Sequence, residues 1–161
     1  MGYDVAGSDL EPRMIDYSRA NLDWLLNLVS GLPDPKILEV GDATTHHWQN
    51  IDLVASETYL GRPFTSAPSP EILNQTISDC NLIIKKFLQN IHSQLQPSTR
   101  LCLAIPAWQT SKNQFKHLPL IDQISDLGYN RVSFEHAGDD QLLYYREDQI
   151  VSRQLLVITR K

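Results

Sequence analysis

Two cysteines in 161 residues cannot build a disulfide framework, and Cys80 and Cys102 lack the spacing of a zinc site. Both sit in apolar company and read as buried thiols of a reduced, cytoplasmic protein. Glycine is scarce, with 7 in all, and nowhere forms a loop of the kind that cradles phosphates. No apolar run is long enough to span a bilayer, and the N-terminus shows neither the basic stretch nor the apolar core of a signal peptide. No membrane role is expected. Positive charge is in deficit, with 14 Lys and Arg against 19 Asp and Glu and a net charge of −5. A surface of that balance does not grip nucleic acid by bulk electrostatics. Any nucleic-acid substrate would have to be held by another segment or subunit.

What is present is the composition of an ordinary globular domain, 42% hydrophobic and 20% charged, at a length that fits a single domain over residues 1–161. The first patterned stretch is Tyr3-Asp4-Val5-Ala6-Gly7-Ser8-Asp9-Leu10-Glu11-Pro12-Arg13-Met14. A short β-prone run stops at Gly7-Ser8, presents Asp9, and turns into a helix that Pro12 opens. From Pro12 to about Leu28 the positions Met14, Tyr17, Leu22, Leu25 and Leu28 recur at helical spacing and predict an amphipathic helix on a sheet. It ends in the breakers Gly31, Pro33 and Pro35. Lys36–Val40 predicts a second strand, stopping at Gly41-Asp42-Ala43, and Ile51–Ser56 a third, apolar enough to be buried on both faces. Ser69-Pro70-Glu71 starts the longest helix, with a stripe of Leu73, Ile77, Cys80, Ile84, Phe87, Ile91 and Leu95 that runs until Pro97. Arg100–Ile105 reads as a strand closed by Pro106, and Leu120 to Leu127 as a short helix ended by Gly128. Tyr129–Phe134 and Gln149–Thr159 read as an antiparallel hairpin.

Alternating strands and helices closed by a hairpin predict an α/β fold with a mostly parallel sheet. In such sheets ligands bind beyond the carboxyl ends of the strands, so Asp9 and Asp42 stand where a nucleoside's hydroxyl and amino groups could be accepted. Either acid alone is equally explained by a helix cap or an Asx turn; as a pair they favour the nucleoside. His46-His47 is expected on a surface loop rather than at a metal, since adjacent side chains diverge and no third ligand has suitable spacing. Tyr144-Tyr145-Arg146 reads as an aromatic patch at a hairpin edge, and Trp108 as a cover for a cleft or for the core.

Gly7-Ser8-Asp9-Leu10-Glu11-Pro12-Arg13-Met14, then Gly41-Asp42-Ala43, then an apolar strand leaving through Tyr59, Gly61 and Arg62, and a terminal hairpin, together resemble a class I S-adenosylmethionine (SAM)-dependent methyltransferase. More narrowly the pattern is similar to the catalytic domain of the RNA methylase family of THUMP-associated tRNA guanine-N2 methyltransferases. The resemblance implies a Rossmann-like sheet, SAM as cofactor, and RNA, tRNA guanosine above all, as substrate. By position it implies that Asp9, with Leu10, holds the cofactor ribose, that Asp42 accepts from the adenine amine with Ala43 beside the ring, and that Ser56 borders the cofactor. It places Glu57 and Tyr59 in catalysis and Gly61 and Arg62 against the substrate.

Two departures stand out. The family's first strand and Gly-rich loop have no counterpart here, which implies the C-terminal portion of a larger protein whose missing segments would hold the tRNA. The family's Asp/Asn-Pro-Pro-Tyr/Phe tetrapeptide is replaced by Glu57-Thr58-Tyr59-Leu60. Glu57 can still accept a target amine and Tyr59 can still stack on a flipped base; equally, without the stiff prolines the loop's chemistry could be lost or changed. The alternatives are therefore a non-catalytic methyltransferase-like interaction module, dimeric through unpaired strand edges, and a DNA amino-methyltransferase.

Overall fold

The computed structural model describes residues 4–32, 37–146 and 148–161. Tyr3, Pro33, Pro35 and Lys36, which entered the sequence reading, lie outside them. The chain divides into two units, Met1–Trp48 and Gln49–Lys161.

In the first unit, β1 (Ala6–Asp9) and β2 (Ile37–Val40) pair in parallel, with Ala6 opposite Ile37 and Asp9 opposite Val40. Between them runs α1 (Pro12–Leu28), opened by Pro12 after an extended Glu11 that makes no side-chain cap. The helix bounds are those read from the sequence, because a proline start is a local signal. Its face is not. Ile15, Ser18, Leu22 and Leu26 are half-buried, whereas Met14, Tyr17, Leu25 and Leu28 are exposed. Apolar residues occupy more than one face of α1, and a sheet of two strands shelters only one stripe. None of the described residues of this unit is buried.

The second unit contains β3 (Leu53–Glu57), α2 (Pro70–His92), β4 (Arg100–Ser111), β5 (Gln114–Lys116), β6 (Tyr129–Arg131), β7 (Leu143–Tyr144) and β8 (Val151–Arg160). The sheet order is β3-β4-β8-β6, with β5 on β4 and β7 on β8. β3 and β4 are parallel, and the remaining pairings, including the expected β6–β8 hairpin, are antiparallel. The sheet is therefore mixed. Ser69 caps α2 through its Oγ, which accepts from the Ile72 N–H at 3.4 Å. The predicted stripe from Leu73 to Leu95 is buried throughout, joined by Thr76 and Leu88. The α2 backbone and side chains are tied to the rest of the unit: the Tyr129 hydroxyl donates to Leu88 O at 2.7 Å, the Leu120 N–H to Asn81 Oδ1 at 2.8 Å, and Arg160 Nε to His92 O at 3.0 Å.

Three expectations are corrected here. β3 is not buried on both faces: Leu53 is 55% exposed and Val54 only half-buried, because β3 is the edge strand of its sheet. Pro106 does not close β4, which continues to Ser111 with Pro106 opposite Arg153. Ala104 O accepts from the Thr58 N–H, so by alternation the nitrogen of Pro106 faces the β3 side, beyond the Glu57–Ala104 pair where β3 ends. The missing donor costs no ladder bond there. The segment from Leu120 forms a 3-10 helix, Pro119–Gln123, followed by tight turns as far as Gly128. So short a stretch gains little from α-helical pairing, and the tighter turns bury Leu118, Leu120 and Ile124. No helix among the described residues is long and apolar enough to cross a membrane.

Candidate functional site

The first unit brings together the acids read as cofactor ligands. Parallel pairing places Asp9 beside Val40, and the Gly41 N–H donates to Asp9 O at 2.9 Å, carrying the ladder one residue further and delivering Asp42 next to it. Each carboxylate has one oxygen fixed by its own turn. Asp9 Oδ1 accepts from the Glu11 N–H at 2.8 Å; Asp42 Oδ1 accepts from the Thr44 N–H and hydroxyl, both at 2.8 Å. The turn reading is thus correct for both acids. A carboxylate has about four acceptor positions, and a turn that fixes one oxygen orients the group. Leu10 is 70% exposed beside Asp9, and Ala43 is exposed beside Asp42.

Sequence reasoning missed what holds this corner. His46 is not a free surface residue: its ring packs so closely on Gly41 that a Cβ there would lie 2.3 Å from Nδ1. The same ring meets Glu39 at 3.5 Å and the Trp48 ring at a centroid distance of 4.9 Å. Trp48 Nε1 in turn donates to Ser8 Oγ at 3.2 Å. Gly41 is small because the imidazole occupies its side-chain space. The described residues contain no group of three or more potential metal ligands.

The second unit carries the predicted catalytic and substrate residues around the end of β3. Ser56 Oγ donates to the Glu57 carbonyl at 3.1 Å. The Thr58 N–H and hydroxyl both donate to Ala104 O, at 3.0 and 3.2 Å, pinning the start of the exit loop to β4. Glu57 Oε2 is bonded to Arg153 Nε at 2.5 Å. That pair crosses from β3 over β4 to β8, so nothing in the sequence spacing could have announced it. Oε1 of Glu57 has no partner among the described residues and can accept a donor.

Beyond Thr58 the loop turns at Gly61, whose φ is +85° and whose missing Cβ would lie 2.9 Å from Thr76 Cγ2 and 3.1 Å from Cys80 Sγ. Both the backbone angle and the close approach to α2 require glycine. The contact opens a recess lined by Tyr59, Gly61, Arg62, Gln75, Thr76 and Asp79. Tyr59 is 48% exposed, and the Arg62 guanidinium lies 5.7 Å from the centre of the Phe64 ring. Burial beneath the loop, with a smaller push from neighbouring Asp79, raises the Cys80 thiol to about 11, which makes it an inert packing group and not a nucleophile. Arg146 Nε meets the Tyr144 hydroxyl at 3.4 Å and pulls its ionisation downward. Tyr145 leans on Phe115 at 5.2 Å, an aromatic pair of the hairpin edge as expected. Trp108 is fully buried and belongs to the core.

No family model matches the chain, and no curated protein matches it in sequence. Among solved structures, a SAM-dependent methyltransferase from Methanosarcina mazei matches with a TM-score of 0.58 and 13% identity, over 99% of this chain and 82% of its own. The chain has the Rossmann-like fold of a methyltransferase. Magnesium protoporphyrin IX methyltransferase (ChlM) from Synechocystis PCC 6803, solved with SAM bound, matches at 0.57 and 16% identity over 98% of this chain and 59% of its own. TrmN from Thermus thermophilus matches at 0.54 and 13% identity over 96% and 35%. At these identities the likeness is one of fold.

Proposed function

We propose that this chain is the SAM-binding and acceptor-binding part of an N-methyltransferase acting on RNA, with the exocyclic amine of a tRNA guanosine as acceptor. The observation that carries the reading is the pair of turn-fixed carboxylates, Asp9 and Asp42, at the carboxyl ends of adjacent parallel strands, in a fold shared with methyltransferases. In this reading Asp9 accepts from the cofactor ribose and Asp42 from its adenine amine, with Leu10 and Ala43 beside them. The bound cofactor supplies an electrophilic methyl group. The chain's own contribution at the acceptor is placement: Glu57 accepts a hydrogen bond from the target amine, which leaves the nitrogen lone pair free to attack, while Tyr59 stacks on the base.

Calorimetry with SAM tests the cofactor half. Binding is expected, with Asp9→Ala and Asp42→Ala each weakening it about tenfold, the scale of a lost hydrogen bond to a charged group. Absence of binding, or binding that neither substitution changes, rejects the assignment. Transfer of labelled methyl from SAM to unmodified tRNA, against DNA and small-molecule amines, tests the acceptor.

A second reading, a non-catalytic module that binds another copy of itself, is favoured by one observation. Among the described residues, the edge of β3 opposite β4 and the edge of β1 opposite β2 carry no strand, and unpaired edges recruit other chains. It requires a dimer by light scattering; a monomer counts against it.

A further inference from the structure

We infer that the recess between the Tyr59–Arg62 loop and α2 is the subsite for a guanine nucleotide, with Asp79 and Gln75 as its specificity residues. This deepens the reading above and rests on it for the assumption that the loop after β3 faces the acceptor.

The recess has a volume of about 140 Å³, on a scale where one water needs roughly 10–15 Å³. A bicyclic base with its substituents fits such a space. Its lining carries both signs of charge, and among the described residues they are not paired with each other. The Arg62 guanidinium makes its one described contact with the face of Phe64. Asp79 accepts from Gln75 Nε2 through Oδ1 at 2.8 Å, and its second oxygen has no partner among the described residues. Thr76 turns its hydroxyl back along the helix, donating to Ile72 O at 2.9 Å, and meets the Gly61 side of the recess with its methyl group. The second oxygen of Asp79 therefore leaves this corner with a charged acceptor.

A ligand complementary to it presents adjacent N–H donors to the carboxylate, an aromatic face to Tyr59 and an anion to Arg62. The Watson–Crick edge of guanine presents N1–H and one N2–H side by side, and the second N2–H remains for Glu57. Adenine and cytosine place an acceptor next to their amine, and a carboxylate repels it. The anion for Arg62 is the nucleotide's own phosphate. Gln75 holds the Asp79 carboxylate in place one turn along the helix, at the i, i+4 spacing that lets the two side chains meet.

The test uses the whole chain without SAM, titrated by calorimetry with GMP, AMP and guanosine. GMP is expected to bind at least tenfold tighter than AMP. Asp79→Asn is expected to erase that preference, since the amide turns one acceptor into a donor. Arg62→Gln is expected to remove the preference for GMP over guanosine while keeping guanine over adenine. Both side chains are solvent-facing, and circular dichroism checks that the variants fold. A uridine-rich oligonucleotide with a single guanosine separates the two sources of the same chemistry. Tighter binding than GMP places the nucleotide within RNA, and equal binding makes it a free nucleotide. No GMP binding, or an Asp79→Asn chain that still prefers GMP, overturns the inference. SAM titrated separately into wild type and Asp79→Asn distinguishes the two failures. A chain that binds SAM but not GMP loses only this subsite, and one that binds GMP but not SAM loses the methyltransferase reading.

Discussion

At Gly61 two demands coincide, a positive φ and contact with Thr76 and Cys80. Gly61→Ala should cost about 1–3 kcal/mol, read from the denaturant midpoint, and should close the recess. Ser152 gives the opposite case. Its Oγ is buried with no partner among the described residues, so Ser152→Ala should stabilise by about 1 kcal/mol, by removing a desolvated hydroxyl. Cys80 makes a pH prediction. Its folded thiol is raised from 9.0 to about 11, so the folded state holds the proton more tightly than the unfolded one. Stability is unaffected below roughly pH 9 and falls as pH rises toward 11; urea titrations at stepped pH, compared with Cys80→Ala, should show it. At this scale the sequence located its candidates: Asp9, Asp42, Glu57, Tyr59, Gly61 and Arg62 all stand at strand exits or in the loop that follows. Arg153, Gln75 and Asp79 were hidden for a plain reason. Arg153 reaches Glu57 only through the sheet register, and helical periodicity reports the buried stripe of α2, not what its polar face meets.

Among the elements, those with chemical punctuation were legible and those defined by neighbours were not. Pro12 and Ser69-Pro70 mark helix starts by local geometry, and both starts lie where they were read. Pro106 was read as a stop because a proline's cost depends on which strand lies beside it, and that is a tertiary fact. The sheltered face of α1 was likewise set by the width of a two-stranded sheet. Leu88, wholly buried at the centre of α2, predicts the larger energetic effect: Leu88→Ala should cost about 2–5 kcal/mol. Ser69→Ala removes a long cap bond of 3.4 Å and should cost about 0.5–1 kcal/mol. Both are measurable by chemical denaturation, and the contrast shows α2 held by packing more than by its cap.

For the whole molecule, the two units differ in what holds them. The second has a buried core including Ile84, Leu88, Leu101, Leu103, Ile105, Trp108, Tyr129 and Ile158; none of the described residues of the first is buried. Amide hydrogen exchange should therefore be slowest in β4, β8 and α2 and markedly faster in α1, β1 and β2. SAM, if it binds Asp9 and Asp42, should slow exchange at the ends of β1 and β2 first. The sheet of the second unit also explains how its loop is aimed. On one side of β4, β3 ends at Ala104 and β5 begins at Trp108, while β8 follows the other side from Arg100 to Trp108. Pro106 sits in the interval between those two partners, with no donor to offer either. It acts as a spacer: two tenants share one edge of β4 without fusing into a continuous ladder, and the chain bearing Tyr59 and Arg62 departs just past Ala104, where the first of them ends.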